Sequence, residues 1–557
     1  MKPSYELLTL RVSLPQVLSL LVLVSGLTAQ VGEHQPRLGF PQDWSHRHIV
    51  FNRQVMSEHP ELANAEPRML HQFMREMRRY SLPSTTAAAV VETSADAKRD
   101  WSVALTGGRI QNGMSPAVFV FNDSAPPSCA KDYAVFAINA LGVTGGQASV
   151  IGFNNLYSGP GGICGAGGPS VLFAYNTTLF GGKIRTSPVV SLDGKKIAFV
   201  ESGTTSSIFH VLTWTAGDGT SPTNSAVPSA MTSLIFDLTA TDSISAPWVD
   251  YTNDVAYVGA NDGLLYKITG VFTGIPTLAG APWPITIGAG GPGKTLTLTA
   301  PVLDQLTKHL FVGDNRGFLW LVDTAAPATP PKFLAVGKFG KLNPSIIDAP
   351  IVDPANKTVI AISSNDGVSA VIVQADTRTL VQLARARIGQ GSLGVAPTAI
   401  PLYDGTFSND YFTDPSTGYI LVCGTGAADA TPWRYTFPFV GRVLQAAATS
   451  GTQILPSTTS RCSPISEVFN PNIGVAPGTD LFFWGMTQDC TAPGTGVAGG
   501  CVMSLTNLGV LTMVKEPGGT SAIVTDNFSP LGQASSIYFS DASTPRTAVK
   551  LTQNGLN

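Results

Sequence analysis

The stretch APWVDYTNDVAYVGANDGLLYKITG, residues 246–270, contains three short apolar runs separated by two polar turns. Within the runs, large apolar residues alternate with small or polar ones, which is typical of β-strands and not of helices. The second turn, Asn261-Asp262-Gly263, has the residue types that favour a tight hairpin. The stretch therefore predicts three antiparallel strands that follow one another directly along the chain.

The same pattern repeats at the interval expected of one blade of a β-propeller. A small residue followed by Pro opens each unit, and successive openings are 59, 54, 49 and 47 residues apart. The openings are Ser187-Pro188, Ala246-Pro247, Ala300-Pro301, Ala349-Pro350 and Ala396-Pro397. The second strands of these units begin at Ile197, Val255, His309, Thr358 and, after a longer insertion, Tyr419.

Three further stretches, beginning at Tyr133, Asp480 and Ser535, resemble looser copies of this unit and bring the total to eight. We therefore predict an all-β fold: a seven- or eight-bladed β-propeller, with eight blades favoured, preceded by a short helical N-terminal extension. Seven blades remain the alternative if one flanking stretch is an insertion. Residues 101–122 are expected to supply the strand that closes the ring.

The units resemble those of quinoprotein-like propellers, the pyrroloquinoline-quinone-type repeat superfamily, in an exported bacterial form. In that superfamily a Ser/Ala-Pro strand precedes a Tyr-Val-Gly strand and an Asp-Gly-x-Leu-Tyr strand, and residues 260–270 match best. The resemblance covers residues 187–377 well and implies architecture, because propellers host many unrelated functions. The Trp-docking motif of the quinone enzymes is absent at equivalent positions, so we predict no cofactor.

The first 29 residues have the features of a signal peptide. Lys2 and Arg11 precede the apolar run Val17–Val24, and small residues follow. We assign residues 30–97 to an N-terminal extension and residues 98–557 to the propeller, with an uncleaved anchor as the alternative for the N-terminus. No later segment is long and apolar enough to span a bilayer, so the mature chain is predicted to be secreted or periplasmic without a transmembrane segment.

Within the extension, apolar residues recur three and four positions apart over residues 60–80, which predicts an amphipathic helix followed by a linker over residues 81–97. We expect the helix to pack on the side of the propeller, with docking to a membrane surface or a partner as the alternative. His46 and His48 invite a metal site, but no cysteine or acidic cluster completes a ligand set. We predict no metal.

Six cysteines without a CxxC pair are typical of a protein from an oxidising compartment. Sequential pairing is the simplest of the 15 possible connectivities. It joins Cys129 to Cys164, Cys423 to Cys462 and Cys490 to Cys501.

Candidate chemistry in the propeller is sparse. Asp250, Asp304 and Asp353 follow the opening strands of three units, and we predict either a polar ring on one face of the channel or capping of the turns. His210 and His309 lie mid-strand among apolar residues, where we interpret them as structural. The stretch GAGGPGKT, residues 288–295, matches a phosphate-binding loop, but no helical pattern follows it, so we assign it to a loop between blades.

The composition narrows the function without identifying it. Only 13% of the residues are charged and the net charge is −3, which gives no electrostatic basis for binding nucleic acid. We predict a non-catalytic binding or scaffold module for a polysaccharide or for an extracellular or envelope protein. The alternative is an exported oxidoreductase or carbohydrate-active enzyme with a cofactor or metal bound in the channel.

Overall fold

The computed structural model describes residues 39–81, 97–107, 110, 113–121, 126–238, 242–288, 296–341, 343–393, 399–471, 478–490, 499–527, 533–543 and 545–553. The predicted signal peptide, residues 1–29, and residues 82–96 of the predicted linker lie outside this set. The described chain folds into eight antiparallel sheets arranged as an eight-bladed β-propeller, which confirms the predicted fold.

The first four blades are described from the innermost strand outward. The first contains β1 (Phe40–Gln42), β3 (Ala117–Val120), β4 (Tyr133–Ala137), β5 (Val150–Asn154) and β6 (Ser170–Tyr175). The second contains β7 (Lys183–Ile184) and β8 (Val189–Val190), both paired with β9 (Lys196–Ser202), then β10 (Ser207–Thr213) and β11 (Met231–Asp237). The third contains β12 (Trp248–Asp250), β13 (Val255–Gly259) and β14 (Leu264–Thr269), with β15 (Thr277–Leu278) and β16 (Ile285–Thr286) paired to β14. The fourth contains β17 (Val302–Asp304), β18 (His309–Gly313), β19 (Phe318–Asp323) and β20 (Lys332–Ala335).

The last four blades complete the ring. The fifth contains β21 (Ile351–Asp353), β22 (Thr358–Ser363), β23 (Val371–Asp376) and β24 (Gln382–Arg387). The sixth contains β25 (Thr406–Phe407), β26 (Tyr419–Thr425) and β27 (Pro432–Val440), with β28 (Val443–Leu444) and β29 (Ser450–Gln453) paired to β27. The seventh contains β30 (Ser466–Asn470), β31 (Thr479–Met486), β32 (Cys501–Thr506) and β33 (Leu511–Lys515). The eighth contains β34 (Val524–Asn527), β35 (Ser535–Asp541), β36 (Thr547–Gln553) and β2 (Ala97–Ala104).

Helices are few and short in the described residues. They are a 3-10 helix (Trp44–Arg47), α1 (Arg53–Glu58), α2 (Leu62–Ala65), α3 (Pro67–Ser81) and α4 (Asn409–Thr413). None of these helices is long and apolar enough to cross a membrane. The helix predicted over residues 60–80 is present as two helices, α2 and α3, which are separated at Glu66.

The repeat seen in the sequence corresponds to strands in the structure. The stretch 246–270 forms β12, β13 and β14, as predicted. Gly263 in its second turn has a φ of 79°, and Gly317 in the equivalent turn of the fourth blade has a φ of 87°. Only glycine adopts this left-handed conformation without steric cost, so these positions fix where each hairpin reverses.

A strand from the N-terminal side closes the ring. β2 pairs antiparallel with β36, from Ala97 opposite Gln553 to Ala104 opposite Thr547. The predicted closing strand is thus present, but residues 117–120, which the sequence analysis placed in the same stretch, form β3 of the first blade instead. They belong there because they pair with β4, which follows them in the chain.

The three disulfides link the residue pairs predicted from their order in the sequence: Cys129–Cys164, Cys423–Cys462 and Cys490–Cys501. The first joins two loops of blade 1, and the second joins β26 of blade 6 to the segment before β30 of blade 7. The third joins the loop after β31 to Cys501, the first residue of β32. No cysteine is free.

A buried ion pair holds the closing strand. The ammonium group of Lys550 on β36 donates to Oδ2 of Asp100 on β2 at 2.8 Å and to the backbone oxygen of Gln533 at 2.7 Å. The side chains of Lys550 and Asp100 are 0% and 1% exposed. Because burial lowers the pKa of Lys550, its charge at this depth depends on the carboxylate.

We expect Asp100→Ala to lower the free energy of unfolding by about 3–5 kcal/mol, because it leaves the buried ammonium without its counter-charge. The double substitution Asp100→Leu with Lys550→Met removes both charges and should recover most of the loss. Urea unfolding monitored by circular dichroism measures both variants. Equal losses in the single and double variants would show that the ion pair is not what holds β2.

Candidate functional site

The structure places Asp250, Asp304 and Asp353 at the ends of β12, β17 and β21, three innermost strands of neighbouring blades. All three are buried, and each carboxylate accepts hydrogen bonds from the turn or helix next to it. Burial raises the pKa of Asp304 and of Asp353. A role as a ligand-binding ring stays a prediction. The partners are Asn253 for Asp250, Leu306 and Thr307 for Asp304, and Asn356 and Tyr411 for Asp353.

The axis of the propeller is occupied by the chain's own residues 40–50, which we call the axial hairpin. Its first arm, β1, pairs antiparallel with β3 of blade 1. Its second arm pairs in parallel with β21 of blade 5, where Val50 N–H donates to Val352 O and Val352 N–H donates to His48 O. The innermost strands of a propeller run in one direction, so the two arms run in opposite directions along the axis.

The sequence DWSHRH makes the reversal between the two arms. Asp43 precedes the 3-10 helix, and its Oδ1 accepts from the backbone N–H of Ser45 at 2.9 Å. His46 Nδ1 accepts in return from the backbone N–H of Asp43 at 3.2 Å. This reciprocal capping satisfies donors that would otherwise be unpaired at the start of the helix. It also gives His46 a structural role, and the described residues contain no cluster of three or more potential metal ligands.

Arg68 at the start of α3 anchors the helical part of the extension against blade 3. Its guanidinium group pairs with Glu66 at 2.7 Å, donates to Val249 O at 2.8 Å and lies 4.1 Å from the centroid of the Trp248 ring. Trp44 of the axial hairpin meets the same Trp248 ring edge-on at 6.0 Å. The first turn of α3 therefore contacts an innermost strand, and packing of the rest of the helix on the side of the propeller stays a prediction.

The other side of the axial hairpin carries a buried polar cluster. Arg47 donates to both oxygens of Asp348, at 3.2 and 3.0 Å. Burial and the adjacent Arg47 charge lower the pKa of His48 to about 3, so this imidazole is neutral. Burial, and then the charge of Asp348, raise the pKa of Asp404 well above its usual value. The cluster therefore contains one compensated ion pair and two groups held in their neutral forms.

A cavity of about 170 Å3 remains between the axial hairpin and blades 6 to 8. Gln42, Arg47, Asn409, Glu467 and Phe469 are among the residues that line it. Behind Glu467, burial and the neighbouring Glu467 carboxylate raise the pKa of Asp480. Pockets for drug-sized ligands and cofactors are roughly 300–1,000 Å3. The space left beside the axial hairpin is smaller than such pockets.

An exposed group of aromatic rings lies at the outer edge of blade 4, and we call it the blade-4 aromatic surface. The side chains of Phe333 and Phe339 are 60% and 54% exposed. The Phe333 ring lies 5.1 Å from that of Trp320 and 5.4 Å from that of Phe318, and the Phe339 ring lies 6.3 Å from that of Phe318. The Arg316 guanidinium stands 5.5 Å from the Phe339 ring.

Strand alternation predicts that Tyr257, Tyr266, Phe311 and Trp320 pack between blades. The first three rings are buried. Trp320 is half-buried: it packs against the core cluster shared by neighbouring blades and donates to Asp314 Oδ2 at 2.8 Å. Alternation identifies a face of a strand; it does not show whether a neighbouring blade covers that face.

The remaining sequence motifs do not form a site in the described residues. His309 Nδ1 lies 2.6 Å from the backbone oxygen of Thr377, which is a structural contact. Residues 289–295 of the Gly-rich stretch lie outside the described set, and the residues after it, 296–304, contain β17 and no helix.

We expect Asp404→Asn to stabilise the protein at neutral pH and to leave its stability at pH 4 nearly unchanged. The folded state favours the neutral carboxyl of Asp404. Its contribution to the stability of the fold is therefore fully present below the usual aspartate pKa, and is lost as the pH rises through the raised pKa of the folded state. Asparagine stays neutral at every pH. Urea unfolding at pH 4 and pH 7 should show a gain of at least about 1.4 kcal/mol at pH 7, the free energy of one pKa unit.

Asp414→Asn is the matched control, because hydrogen bonds from Ser416 lower the pKa of this exposed carboxyl. It should give no gain at neutral pH. A gain for Asp404→Asn that is the same at both pH values would contradict the titration.

No protein-family model matches the chain, and no curated protein matches it significantly. Among solved structures, the chain is similar to BamB from Moraxella catarrhalis, with 12% identity and a TM-score of 0.41 over 82% of this chain and 97% of that one. It is also similar to the Dos1 propeller, with 11% identity and a TM-score of 0.42 over 83% and 97% of the two chains. A chain of a mitotic checkpoint complex gives 9% identity and a TM-score of 0.38 over 75% and 94%. Similarity at this level assigns neither a function nor a partner.

Proposed function

We propose that this protein is an exported scaffold that binds a protein partner through the blade-4 aromatic surface. The observation that carries the proposal is the exposure of Phe333 and Phe339 beside Trp320 and Arg316. Aromatic residues and arginine are enriched in protein interfaces and dominate their binding energy. Four rings and a guanidinium group within one blade edge therefore form the hot spot for this partner.

The arrangement at the axis supports a role outside the channel. The axial hairpin occupies the place where a channel-bound cofactor or substrate would lie, and the cavity beside it is small. The rigid ring then serves to hold its outer surface in a fixed shape, which limits the entropy lost on binding. The alternative of an oxidoreductase or carbohydrate-active enzyme working in the channel has no comparable support.

Export is supported by two independent features. The first 29 residues have the pattern of a signal peptide. All six cysteines are in disulfides, which persist in oxidising compartments and are rare in the cytosol. A secreted or periplasmic location follows from the proposal, and the partner is accordingly an extracellular or envelope protein.

A polysaccharide is the second candidate ligand, because exposed aromatic rings also provide flat apolar faces for sugar rings. The guanidinium group beside Phe339 and the three-ring packing around Phe318 favour a protein partner. Photo-crosslinking at Phe339 and binding to a glycan array separate the two ligands.

A photo-crosslinking amino acid at Phe339, in protein produced by its native host, should yield a discrete crosslinked protein product. The same amino acid at Leu508, which is 72% exposed on blade 7, is the matched control and should yield none. Adding Phe333→Ala should reduce the Phe339 product at least about tenfold, since loss of a hot-spot ring costs about 2 kcal/mol or more.

Equal products at positions 339 and 508 would refute a specific surface on blade 4. No protein product, together with binding to a glycan array that Phe333→Ala abolishes, would assign the surface to a polysaccharide. Disulfide-bonded protein recovered from the periplasm or the medium, with its mature N-terminus near residue 30, would confirm export.

A further inference from the structure

Three neighbouring strands of blade 2 bring a serine, a histidine and a glutamate into one hydrogen-bonded row. Ser233 Oγ on β11 lies 2.9 Å from His210 Nδ1 on β10, and His210 Nε2 lies 2.9 Å from Glu201 Oε2 on β9. The register of the strands explains this row. Ser233 is directly opposite His210. Glu201 lies two residues along β9 from Phe199, the residue opposite His210, and therefore on the same face of the sheet. Ser233 is exposed, whereas His210 and Glu201 are completely buried.

The hydrogen bonds of the glutamate determine which atom donates and which accepts in the other two hydrogen-bonded groups. Glu201 Oε1 accepts from the backbone N–H groups of Gly182 at 2.7 Å and Phe180 at 3.2 Å, which leaves Oε2 to face His210. An ionised carboxylate only accepts, so His210 carries a proton on Nε2. In a neutral imidazole Nδ1 is then the acceptor, and it accepts from the hydroxyl of Ser233.

We propose that Ser233 is the nucleophile of a second site, at which the protein cleaves a carboxylic ester with an apolar acyl group. His210 acts as the general base and Glu201 holds its tautomer and orientation, the roles of the Ser-His-acid triads that recur on unrelated folds. The sequence alone favoured a structural role for His210. Its position between a buried glutamate and an exposed hydroxyl follows only from the pairing of the three strands.

The reaction is balanced with water as the co-substrate. His210 Nδ1 takes the proton of the Ser233 hydroxyl as Oγ bonds to the ester carbonyl carbon. The bond from that carbon to the alkoxy oxygen breaks, and the leaving alcohol takes the proton from His210. Water then attacks the acyl-serine, with His210 again accepting the proton and returning it to Oγ, which releases the carboxylic acid and restores the site.

The surface around Ser233 indicates an apolar acyl group. Ile235 lies two residues along β11, on the same face as Ser233, and is 38% exposed. Leu179 and Phe180, in the segment between β6 and β7, are 50% and 42% exposed. The Phe180 ring lies 6.1 Å from the His210 ring. An uncharged aliphatic or aromatic acyl group that binds beside the hydroxyl would bury apolar area against these side chains.

The test is the reactivity of the hydroxyl in the purified full-length protein, because a purely structural row would make the same hydrogen bonds. A fluorophosphonate probe should attach one phosphonyl group per chain, mapped to Ser233 by mass spectrometry. Ser233→Ala should remove the label. Thr232→Ala, which deletes the exposed hydroxyl one residue away on the opposite face of β11, should leave it unchanged.

Glu201→Gln keeps the shape of the side chain but removes its charge, and should slow labelling and hydrolysis of p-nitrophenyl butyrate at least tenfold. Thermal unfolding of each variant separates loss of reactivity from loss of fold. Labelling spread over several serines, or labelling and hydrolysis unaffected by Glu201→Gln in a folded variant, would overturn the proposal. Crosslinking at Phe339 tests the scaffold role independently, and Ser233→Ala should not alter it.

Discussion

The ring depends on how its axis is filled. Eight twisted sheets packed around one axis leave a wider central space than the side chains of their innermost strands can occupy, and an apolar void there would forfeit packing energy. This chain fills the space with its own residues 40–50, hydrogen-bonded to β3 of blade 1 and to β21 of blade 5. Residues 40–50 and the start of α3 are thus part of the core of the propeller, where Trp44, Ile49 and Met69 pack with residues of blades 2 to 5.

Filling the axis with a polar chain segment requires each buried charge to be compensated. Arg68 has Glu66 and two further acceptors, and Arg47 has both oxygens of Asp348. His48 and Asp404, buried beside the Arg47–Asp348 pair, are held neutral instead, because burial outweighs the opposite charge near each of them. Buried polar networks of this kind add little net stability, but they allow one arrangement of the segment and exclude alternatives that leave a charge unpaired.

The repeat of strands and turns was readable from the sequence because each blade depends on local alternation and on glycines in its turns. The cysteine pairs followed from their order along the chain. The sequence did not predict where the N-terminal segment contacts the propeller, since the helical periodicity of residues 60–80 identifies an apolar face and not the surface that covers it. The row from Glu201 to Ser233 was also hidden, because it depends on the register of three strands, and the exposure of Phe333 depends on what the neighbouring blades leave uncovered.

The pairing of β2 with β36 also means that the ring closes only after the last strand has been synthesised. Some 450 residues separate the two strands in the chain, and ribosomes add about 5–20 residues per second, so β2 waits roughly 20 to 90 seconds for its partner strand. During that interval β1 and β2 are both present and neither blade 8 nor the ring is complete. An unpaired strand in that state is a template for misassociation. The charges and the bulge near Asp100 that later secure the closed ring also make the waiting strand a poor partner for other chains.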